Sequence, residues 1–396
     1  MAADAVMVEL LAANPSCPDS LLRRAARVDA RPRRAVAAHP RSRPWLADLA
    51  QDEDWQTRVS VTENPACPSP LLRTLARDGE PRVRAAAARC AACPEPVHAR
   101  LAEDPVPEVR ASAAANPRCR APVLELLLDD EALIVRDAAV KHPACPPSRL
   151  TVRAGADLWW RTAVAAHPAA PPAVLVALAE DRDAVVRVAV ARNPVTPPAV
   201  VGTLCVDPDP DVACAALRNR AVPADRLELA VVHAAGRLRA AVARNPSCPR
   251  RLLMALASDD DAHVRLAVAE SPRCPSATLA RLAADGDDVL RAAVARNPEC
   301  PPRTLSDLVL SGSVSVLIAL AWNPSCPADL LRDLGARPAA AVRAAVARHP
   351  RCPADMLEVL ADDASREVAE TLAVFAGNEE VLLHLAERFH VEGART

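Results

Sequence analysis

The stretch "NPSCPRRLLMALASDDDAHVRLAVAE", residues 245–270, holds the pattern that decides the fold. Its apolar residues recur at helical spacing twice, over residues 252–257 and again over 264–268. Residues three and four apart lie on the same face of a helix, so each segment predicts a short amphipathic helix. An Asn-Pro pair opens the stretch and three aspartates separate the helices, which indicates tight corners at both points.

The same pattern returns along the chain at steps of 25 or 26 residues. We call the place of Asn245 the corner position of its repeat. The corner positions are Asn14, His39, Asn64, Cys90, Asn116, His142, His167, Asn193, Asn219, Asn245, Ser271, Asn297, Asn323, His349 and, weakly, Phe375. A helix pair of this length cannot bury its apolar face alone, so the repeats must stack on one another.

The sequence therefore predicts an all-α solenoid of about fourteen stacked two-helix repeats. We expect a single domain over residues 1–396, with residues 1–13 as an N-terminal half-repeat and 14–375 as the repeats. Residues 376–396 are expected to form a capping helix, begun by Asn378 and covering the last layer with Phe389, and a tail.

Local chemistry explains the corners. Asparagine tolerates the left-handed conformation that often ends a helix, and the proline after it cannot continue the helix. The second proline, Pro249 in the quoted stretch, suits the first turn of the next helix because its missing N–H has no partner there. The aspartates are expected to accept backbone N–H groups at the start of the following helix.

Composition excludes several classes of function. The formal net charge of −2 lacks the basic bias of a nucleic-acid-binding protein, and only nine glycines leave little room for a phosphate loop. The start of the chain does not resemble a signal peptide, and no apolar run reaches the length of a membrane span, so we expect a cytoplasmic protein without a membrane partner. No catalytic constellation is evident, and we predict no enzyme activity, no cofactor and no small-molecule substrate.

Ten of the thirteen cysteines stand three residues after a corner position. Small residues such as Ser42, Ala170 and Thr196 replace them in other repeats, which predicts a tight buried space and not a reactive thiolate. Equivalent cysteines in stacked repeats would be about 8–10 Å apart, too far for a disulfide or a shared zinc ion. Cys90 and Cys93 form a single CxxC, a weak candidate for metal or redox chemistry.

Arginine and aspartate recur in a fixed phase. Eleven repeats carry arginine six residues before the corner: Arg33, Arg58, Arg84, Arg110, Arg136, Arg161, Arg187, Arg239, Arg265, Arg291 and Arg343. Aspartate often stands six residues earlier still, at Asp52, Asp78, Asp104, Asp130, Asp181, Asp207, Asp259, Asp285 and Asp363. The matched phase predicts that each arginine bridges an aspartate of its own or the adjoining repeat. The rival interpretation is a row of arginines for phosphates.

A second basic set immediately precedes the corner and has no aspartate in phase. It consists of Arg89, Lys141, Arg192, Arg218, Arg244, Arg296 and Arg348. These residues are the better candidates for a binding stripe. Trp159 and Trp322 break the repeat pattern and are candidate contacts for a partner, with Trp160 expected in a buried valine position. The repeats over residues 193–244 also drift from the pattern, which marks them as a candidate contact surface.

The repeat resembles a known family. The segment "DDVLRAAVARNPECPPRTLSDL", residues 287–308, is similar to the leucine-rich repeat variant, and its aspartate and arginine phasing is similar to HEAT-type repeats. The resemblance covers essentially the whole chain. It implies a right-handed superhelix of alternating short helices, one of which can be of the 3₁₀ kind, that serves as a binding scaffold. A family member carries an iron-sulfur domain before its repeats, but here the first thirteen residues already form a half-repeat, so no such cluster is expected.

The sequence thus predicts a non-catalytic scaffold that binds a protein or peptide. Two alternatives stay open at this point. The first is nucleic-acid binding through the arginine stripe, which requires a basic face and strong salt dependence. The second is a metal or redox protein centred on Cys90 and Cys93.

Overall fold

The computed structural model describes residues 4–155 and 157–389, except for the side chain of Asp285. Across these residues the regular structure consists of α-helices, without strands or 3₁₀ helices. The first half contains α1 (Ala5–Ala13), α2 (Asp19–Ala25), α3 (Ala30–Ala38), α4 (Leu46–Leu49), α5 (Trp55–Glu63), α6 (Ser69–Leu75), α7 (Pro81–Arg89), α8 (Glu95–Leu101), α9 (Pro107–Ala114), α10 (Ala121–Leu128), α11 (Leu133–Lys141), α12 (Pro147–Arg153), α13 (Leu158–Ala166), α14 (Pro172–Leu178) and α15 (Ala184–Arg192). The second half contains α16 (Pro198–Leu204), α17 (Pro210–Arg218), α18 (Ala224–His233), α19 (Gly236–Ala243), α20 (Arg250–Leu256), α21 (Ala262–Glu270), α22 (Ser276–Asp285), α23 (Asp288–Arg296), α24 (Pro302–Val309), α25 (Val314–Ala321), α26 (Ala328–Gly335), α27 (Ala340–Ala347), α28 (Ala354–Ala361), α29 (Arg366–Phe375) and α30 (Glu379–Arg388).

The prediction of an all-α solenoid of two-helix repeats is confirmed. Each repeat pairs an even-numbered helix with the odd-numbered helix that follows it, and both are α-helices. Contacts divide the chain into two compact units, which we call the first unit (residues 1–145 with 352–396) and the second unit (146–351). The expectation of one domain over the whole chain stays a prediction. Within the described residues, no helix combines the length and the apolarity that a membrane crossing requires.

In the second unit, the odd-numbered helices α13 to α27 stack in sequence order, and each even-numbered helix packs beside its neighbours. The repeat of residues 245–270 shows how the core is filled. Leu253 and Leu256 from the even helix and Val264, Ala267 and Val268 from the odd helix are all almost completely buried. The small alanine and valine side chains allow the odd helices to pack closely, and burying the leucines and valines together supplies the hydrophobic stabilisation.

In the first unit, the odd helices α1 to α11 stack in the same way. The beginning of the chain also packs against its end, because α1 contacts both α29 and α30. Asn14 donates from Nδ2 to the carbonyl oxygens of Ala373 at 2.9 Å and Ala376 at 3.0 Å. Arg366 and Asp4 add an ion pair at 2.9 Å. A repeat elsewhere consists of an even-numbered helix and the odd-numbered helix after it. Here α30 takes the position of the even-numbered helix and α1 takes the position of the odd-numbered helix, so the two together form one repeat.

The corner residues end the odd helices differently from the prediction. The expectation of a left-handed asparagine was wrong: Asn193 has φ −69° and ψ 125°, and Asn297 has φ −68° and ψ 126°. This extended backbone is open to any residue, so conformational tolerance does not explain the asparagine. The hydrogen bonds of its side chain explain why asparagine stands here. Asn193 donates from Nδ2 to the carbonyls of Ala165 at 2.7 Å and His167 at 2.9 Å in the preceding repeat.

The same asparagine also orders its own corner, since its Oδ1 accepts the N–H of Val195 at 3.0 Å. A corner histidine makes a similar set of bonds: His349 contacts the carbonyl of Asn323 through Nε2 and the N–H of Arg351 through Nδ1, both at 3.0 Å. We call these contacts the corner ladder. The asparagines that donate to two carbonyls of the preceding repeat are Asn64, Asn116, Asn193, Asn219, Asn245, Asn297 and Asn323.

Helix starts agree with the predictions in most respects. Asp261 is the N-cap of α21 and accepts the N–H of His263 at 2.9 Å. Asn378 caps α30 by accepting the N–H of Glu380 at 2.9 Å, as expected. Pro249 is the N-cap of α20 and not a residue of its first turn. Its extended backbone turns the chain into the helix, and its carbonyl accepts the N–H of Leu253 at 3.3 Å.

The cysteines behave as small core residues. Cys248 is fully buried, and burial raises the pKa of its thiol to about 11. The pKa of Cys300 is raised by burial to about 12. Because the thiolate is the reactive form, these thiols are held in the unreactive state at neutral pH. Of the ten cysteines three residues after a corner, eight are buried as predicted, and Cys93 and Cys352 are partly buried.

Candidate binding surface

The arginine and aspartate that recur in phase form ion pairs between adjoining repeats. Arg187 shows the geometry: its Nε and Nη2 donate to the two carboxylate oxygens of Asp207 at 2.8 and 3.0 Å. Its Nη1 donates to the carbonyl of Asp181 in its own repeat at 2.8 Å. We call this arrangement the arginine–aspartate bridge. It occurs in the pairs Arg33–Asp52, Arg58–Asp78, Arg84–Asp104, Arg110–Asp130, Arg161–Asp181, Arg187–Asp207 and Arg239–Asp259.

These seven bridges agree with the predicted pairing and are structural, whereas the predicted role of Asp285 falls on a side chain outside the described residues. The side chains of Arg187 and Asp207 are only 15% and 7% exposed, so the guanidinium is not available to a ligand. The hydrogen bonds from arginine lower the pKa of Asp130, Asp207 and Asp259. Each aspartate also accepts a backbone N–H from the start of the next helix, for example that of Asp209 at 2.9 Å. The bridge therefore joins two repeats and fixes a helix start.

The bridge is lost at places where the repeat departs from its pattern. Ala213 stands in the arginine position, and His233 stands in the aspartate position that it would face. Leu317 and Arg337 form a second such pair of replacements. In the first case the arginine and the aspartate are lost together. In the second, Arg337 brings a charge of its own, which pairs with Asp333 at 2.6 Å.

The second basic set comes together in part. Arg192, Arg218 and Arg244 occupy the same position in three successive repeats of the second unit and line one cavity of about 500 Å³. Each stands at the C-terminal end of an odd helix, where the helix dipole favours a cation. Residues seven or eight positions earlier share this helix face. Arg237 and Asp211 therefore lie in the same cavity. We call this surface the arginine face.

Positive charge predominates on the arginine face. Its lining contains four arginines against two aspartates. Asp211 is occupied by an ion pair with Arg237, and Asp261 contacts His263 at 3.1 Å. Arg244 contacts Glu270 at 3.3 Å, near the surface. Arg192 and Arg218 are exposed and have no ion pair within the described part of the chain. The face can therefore attract anionic groups.

The remaining candidates lie elsewhere. Trp322 is 46% exposed, and the guanidinium of Arg296 lies 4.8 Å from the centre of its ring. Trp159 is half-buried and contacts Trp160 edge to face at 4.7 Å. Trp160 is buried, as expected from its valine position.

Five odd helices stack between Trp159 and Trp322, so the structure does not bring the two tryptophans together. Arg348 is exposed at the C-terminal end of α27. Whether any of these residues contacts a partner stays a prediction.

Cys90 and Cys93 are both partly buried. Burial raises the pKa of Cys93 to about 11. Its Sγ lies 3.8 Å from the carbonyl oxygen of Pro94, a contact that other cysteines in this position also make. In residues 4–155 and 157–389, no three histidine, cysteine or acidic side chains are grouped as metal ligands would be.

The repeats match the family model described as leucine rich repeat variant at residues 184–209, 236–261, 262–287 and 340–365. None of the curated proteins matches the chain. Among solved structures, the chain is similar to "a leucine-rich repeat variant with a novel repetitive protein structural motif", at 24% identity and a TM-score of 0.37. That match covers 62% of this chain and 87% of the other.

Two longer helical chains also match. One comes from the structure in which Kap95p binding induces the switch loops of RanGDP to adopt the GTP-bound conformation, at 12% identity and a TM-score of 0.30. The other is a Kap121p mutant, at 11% identity and a TM-score of 0.33. These matches cover 94% and 99% of this chain, which spans 62% and 61% of the other chains.

Three of the four matched leucine-rich repeat variant segments lie on or beside the arginine face. Sequence reasoning identified Arg192, Arg218 and Arg244 but not Arg237, which belongs to no set in phase with the corner. The signal that could have found it is helical spacing, since Arg237 stands seven residues before Arg244. Sequence reasoning also missed the corner ladder. The exchange of asparagine for histidine at the corner positions indicates a shared hydrogen-bonding role and could have revealed it.

Proposed function

We propose that the protein is a non-catalytic scaffold whose arginine face binds an acidic, extended segment of a protein partner. The observation that carries the proposal is the placement of Arg192, Arg218 and Arg244 in successive repeats along a cavity with surplus positive charge. These arginines lie on short helices that are already fixed by packing against the neighbouring repeats. The protein therefore loses little conformational entropy when it binds a partner.

The spacing favours a peptide. Neighbouring helices lie about 8–10 Å apart. An extended segment in the polyproline II conformation has three residues per turn and rises about 3.1 Å per residue, so acidic side chains at every third position share one face and recur about every 9 Å. Such a segment can place one carboxylate against each arginine. Apart from the exposed imidazole of His263, the cavity lining has no aromatic side chain on which bases could stack, which favours an acidic peptide over single-stranded nucleic acid.

Fluorescence anisotropy tests this proposal with a labelled peptide that carries glutamate at every third position among serine and glycine. We expect the triple variant Arg192→Ala, Arg218→Ala, Arg244→Ala to weaken binding about tenfold or more. The matched control, Arg182→Ala, Arg250→Ala, Arg303→Ala, removes the same charge from exposed positions elsewhere in the second unit and should bind the peptide nearly as well as wild type.

Equal losses in the two triple variants would show that only net charge matters and would contradict the proposal. A single-stranded oligonucleotide serves as the competing probe. If it binds more tightly than the peptide and depends on the same three arginines, nucleic-acid binding replaces peptide binding as the function.

A further inference from the structure

One interrupted bridge leaves an arginine without its usual carboxylate. Arg291 stands in the bridging position, but the next repeat carries Ser311 where seven repeats supply aspartate. Its Nε donates instead to the carbonyl of Ala283 at 3.3 Å. Its contact with Asp288, three residues earlier on the same helix, is 3.6 Å long. The side chain of Arg291 is 34% exposed, whereas bridged Arg187 is 15% exposed.

A cavity opens where the missing carboxylate would lie. It has a volume of about 390 Å³ and is lined by both Arg291 and Ser311. The walls are largely apolar and come from two successive even helices and the turn after them. They consist of Ala280, Ala283, Ala284, Thr304, Leu308 and Leu310, with Asp307 as a second charged group. A volume of this size suits a small ligand.

The protein's own repeats indicate what the cavity accepts. In each intact bridge, the arginine presents Nε and Nη2 as a pair of donors to one carboxylate, with distances near those of Arg187. We propose that this cavity binds a small aliphatic carboxylate, whose anionic group takes the place of the missing aspartate on Arg291. The aliphatic part then packs against the alanine and leucine walls and removes their surface from water.

The charges around Arg291 set the expected selectivity. Asp288 is 53% exposed and offers one long contact, so it competes weakly with a carboxylate that can accept two hydrogen bonds. Asp307 carries a negative charge at the cavity lining, which disfavours ligands with a second anionic group. The site therefore suits a monocarboxylate better than a dicarboxylate. None of these lining residues belongs to the arginine face, so the site is independent of the proposed peptide binding.

Isothermal titration with hexanoate, and with uncharged hexanamide as its matched probe, tests the proposal on the full chain. We expect wild type to bind hexanoate in preference to hexanamide. The Arg291→Ala variant should bind hexanoate about tenfold more weakly or worse, since a charged hydrogen bond is worth about 1.5–3 kcal/mol. The Ser311→Asp variant should lose hexanoate binding as well, because its own carboxylate restores the bridge.

Two controls separate this result from simple unfolding. Ser311→Asn adds nearly the same volume as Ser311→Asp without the charge and should keep more hexanoate affinity than Ser311→Asp. Arg187→Ala removes an arginine that is already bridged and should leave hexanoate binding unchanged. Retained hexanoate affinity in folded Arg291→Ala, or equal binding of hexanoate and hexanamide by wild type, would overturn the proposal.

Discussion

At the scale of single residues, each corner asparagine makes at least three hydrogen bonds in a buried place. Asn245 is 1% exposed, donates to the carbonyls of Leu217 and Asn219, and accepts the N–H of Ser247. Removing the side chain would leave the carbonyl of Leu217 and the N–H of Ser247 without this partner, while the carbonyl of Asn219 would keep the N–H of Val222 at 3.2 Å. The corner ladder is therefore a stability determinant that apolar burial alone would not reveal.

We predict that Asn245→Ala lowers the free energy of unfolding by about 3 kcal/mol, because buried groups without partners cost about 1–3 kcal/mol each. Asn245→His should cost about 1 kcal/mol or less, since histidine keeps an acceptor for the corner N–H and one donor for the preceding repeat. Urea unfolding followed by circular dichroism measures both. Equal losses in the two variants would contradict the hydrogen-bonding role.

The bridged aspartates predict how stability depends on pH. Hydrogen bonds from arginine lower the folded-state pKa of Asp130, Asp207 and Asp259 below the ordinary value of about 3.9. A lowered pKa stabilises the folded state fully above the unfolded-state value, and this contribution is lost as pH falls through the folded-state pKa. We therefore expect the melting temperature to fall below about pH 4.

The Asp207→Asn variant provides the control for this pH dependence. It should be less stable than wild type at pH 7 and should lose less stability between pH 5 and pH 3, as thermal unfolding in matched buffers would show. An identical pH profile for wild type and Asp207→Asn would show that this bridge does not contribute.

At the scale of helices, the arginine–aspartate bridge joins the end region of one repeat to the helix start of the next. Its absence at Ala213 and His233 coincides with a cavity of about 370 Å³ that both residues line. The wall includes Leu229, which is 50% exposed. The drift of these repeats, visible in the sequence, thus corresponds to a change in packing as well as in charge.

Restoring this bridge requires both partners. Ala213→Arg alone should lower stability, because Ala213 is buried and the new guanidinium would lack a carboxylate. Adding His233→Asp should recover the loss, with a coupling of about 2 kcal/mol between the two substitutions. A double-mutant cycle in urea measures this coupling. Simple additivity would contradict the geometry inferred from the intact bridges.

Much of the helix-level structure follows from the sequence, because a residue pattern that recurs in many repeats is a stronger indication of structure than a pattern that occurs once. The helix pairs, the buried cysteines and the bridges are all visible as fixed phases. The backbone of the corner was predicted wrongly because asparagine has two uses, a left-handed backbone or side-chain bonds, and spacing cannot distinguish them. The arginine face was predicted in part, since Arg237 depends on which side of each helix is exposed and on how the repeats stack.

At the scale of the whole molecule, the contact of α1 with α29 and α30 is the feature that the repeat pattern did not predict. The sequence indicated a half-repeat at residues 1–13 and a capping helix after residue 376, as separate ends. Within the first unit they cover each other instead. α1 buries Met7, Val8 and Leu11, and α29 buries Val368 and Leu372.

Removing residues 1–13 should therefore weaken the far end of the sequence. We expect hydrogen–deuterium exchange to rise in α29 and α30, which lose an apolar neighbour, while α7 and α9 keep their protection. Mass spectrometry of peptic fragments would resolve these segments. Unchanged protection in α29 would contradict the packing of α1 on the last helices.

The shared repeat of α30 and α1 has a consequence for the order of the chain. Where two halves of one structural unit come from opposite ends of a sequence, the point at which the polypeptide starts is not dictated by packing. A circular permutant that joins the present termini through a flexible linker and opens the chain at an exposed corner between repeats should keep the same neighbours. Its far-ultraviolet circular dichroism would then match that of the natural order.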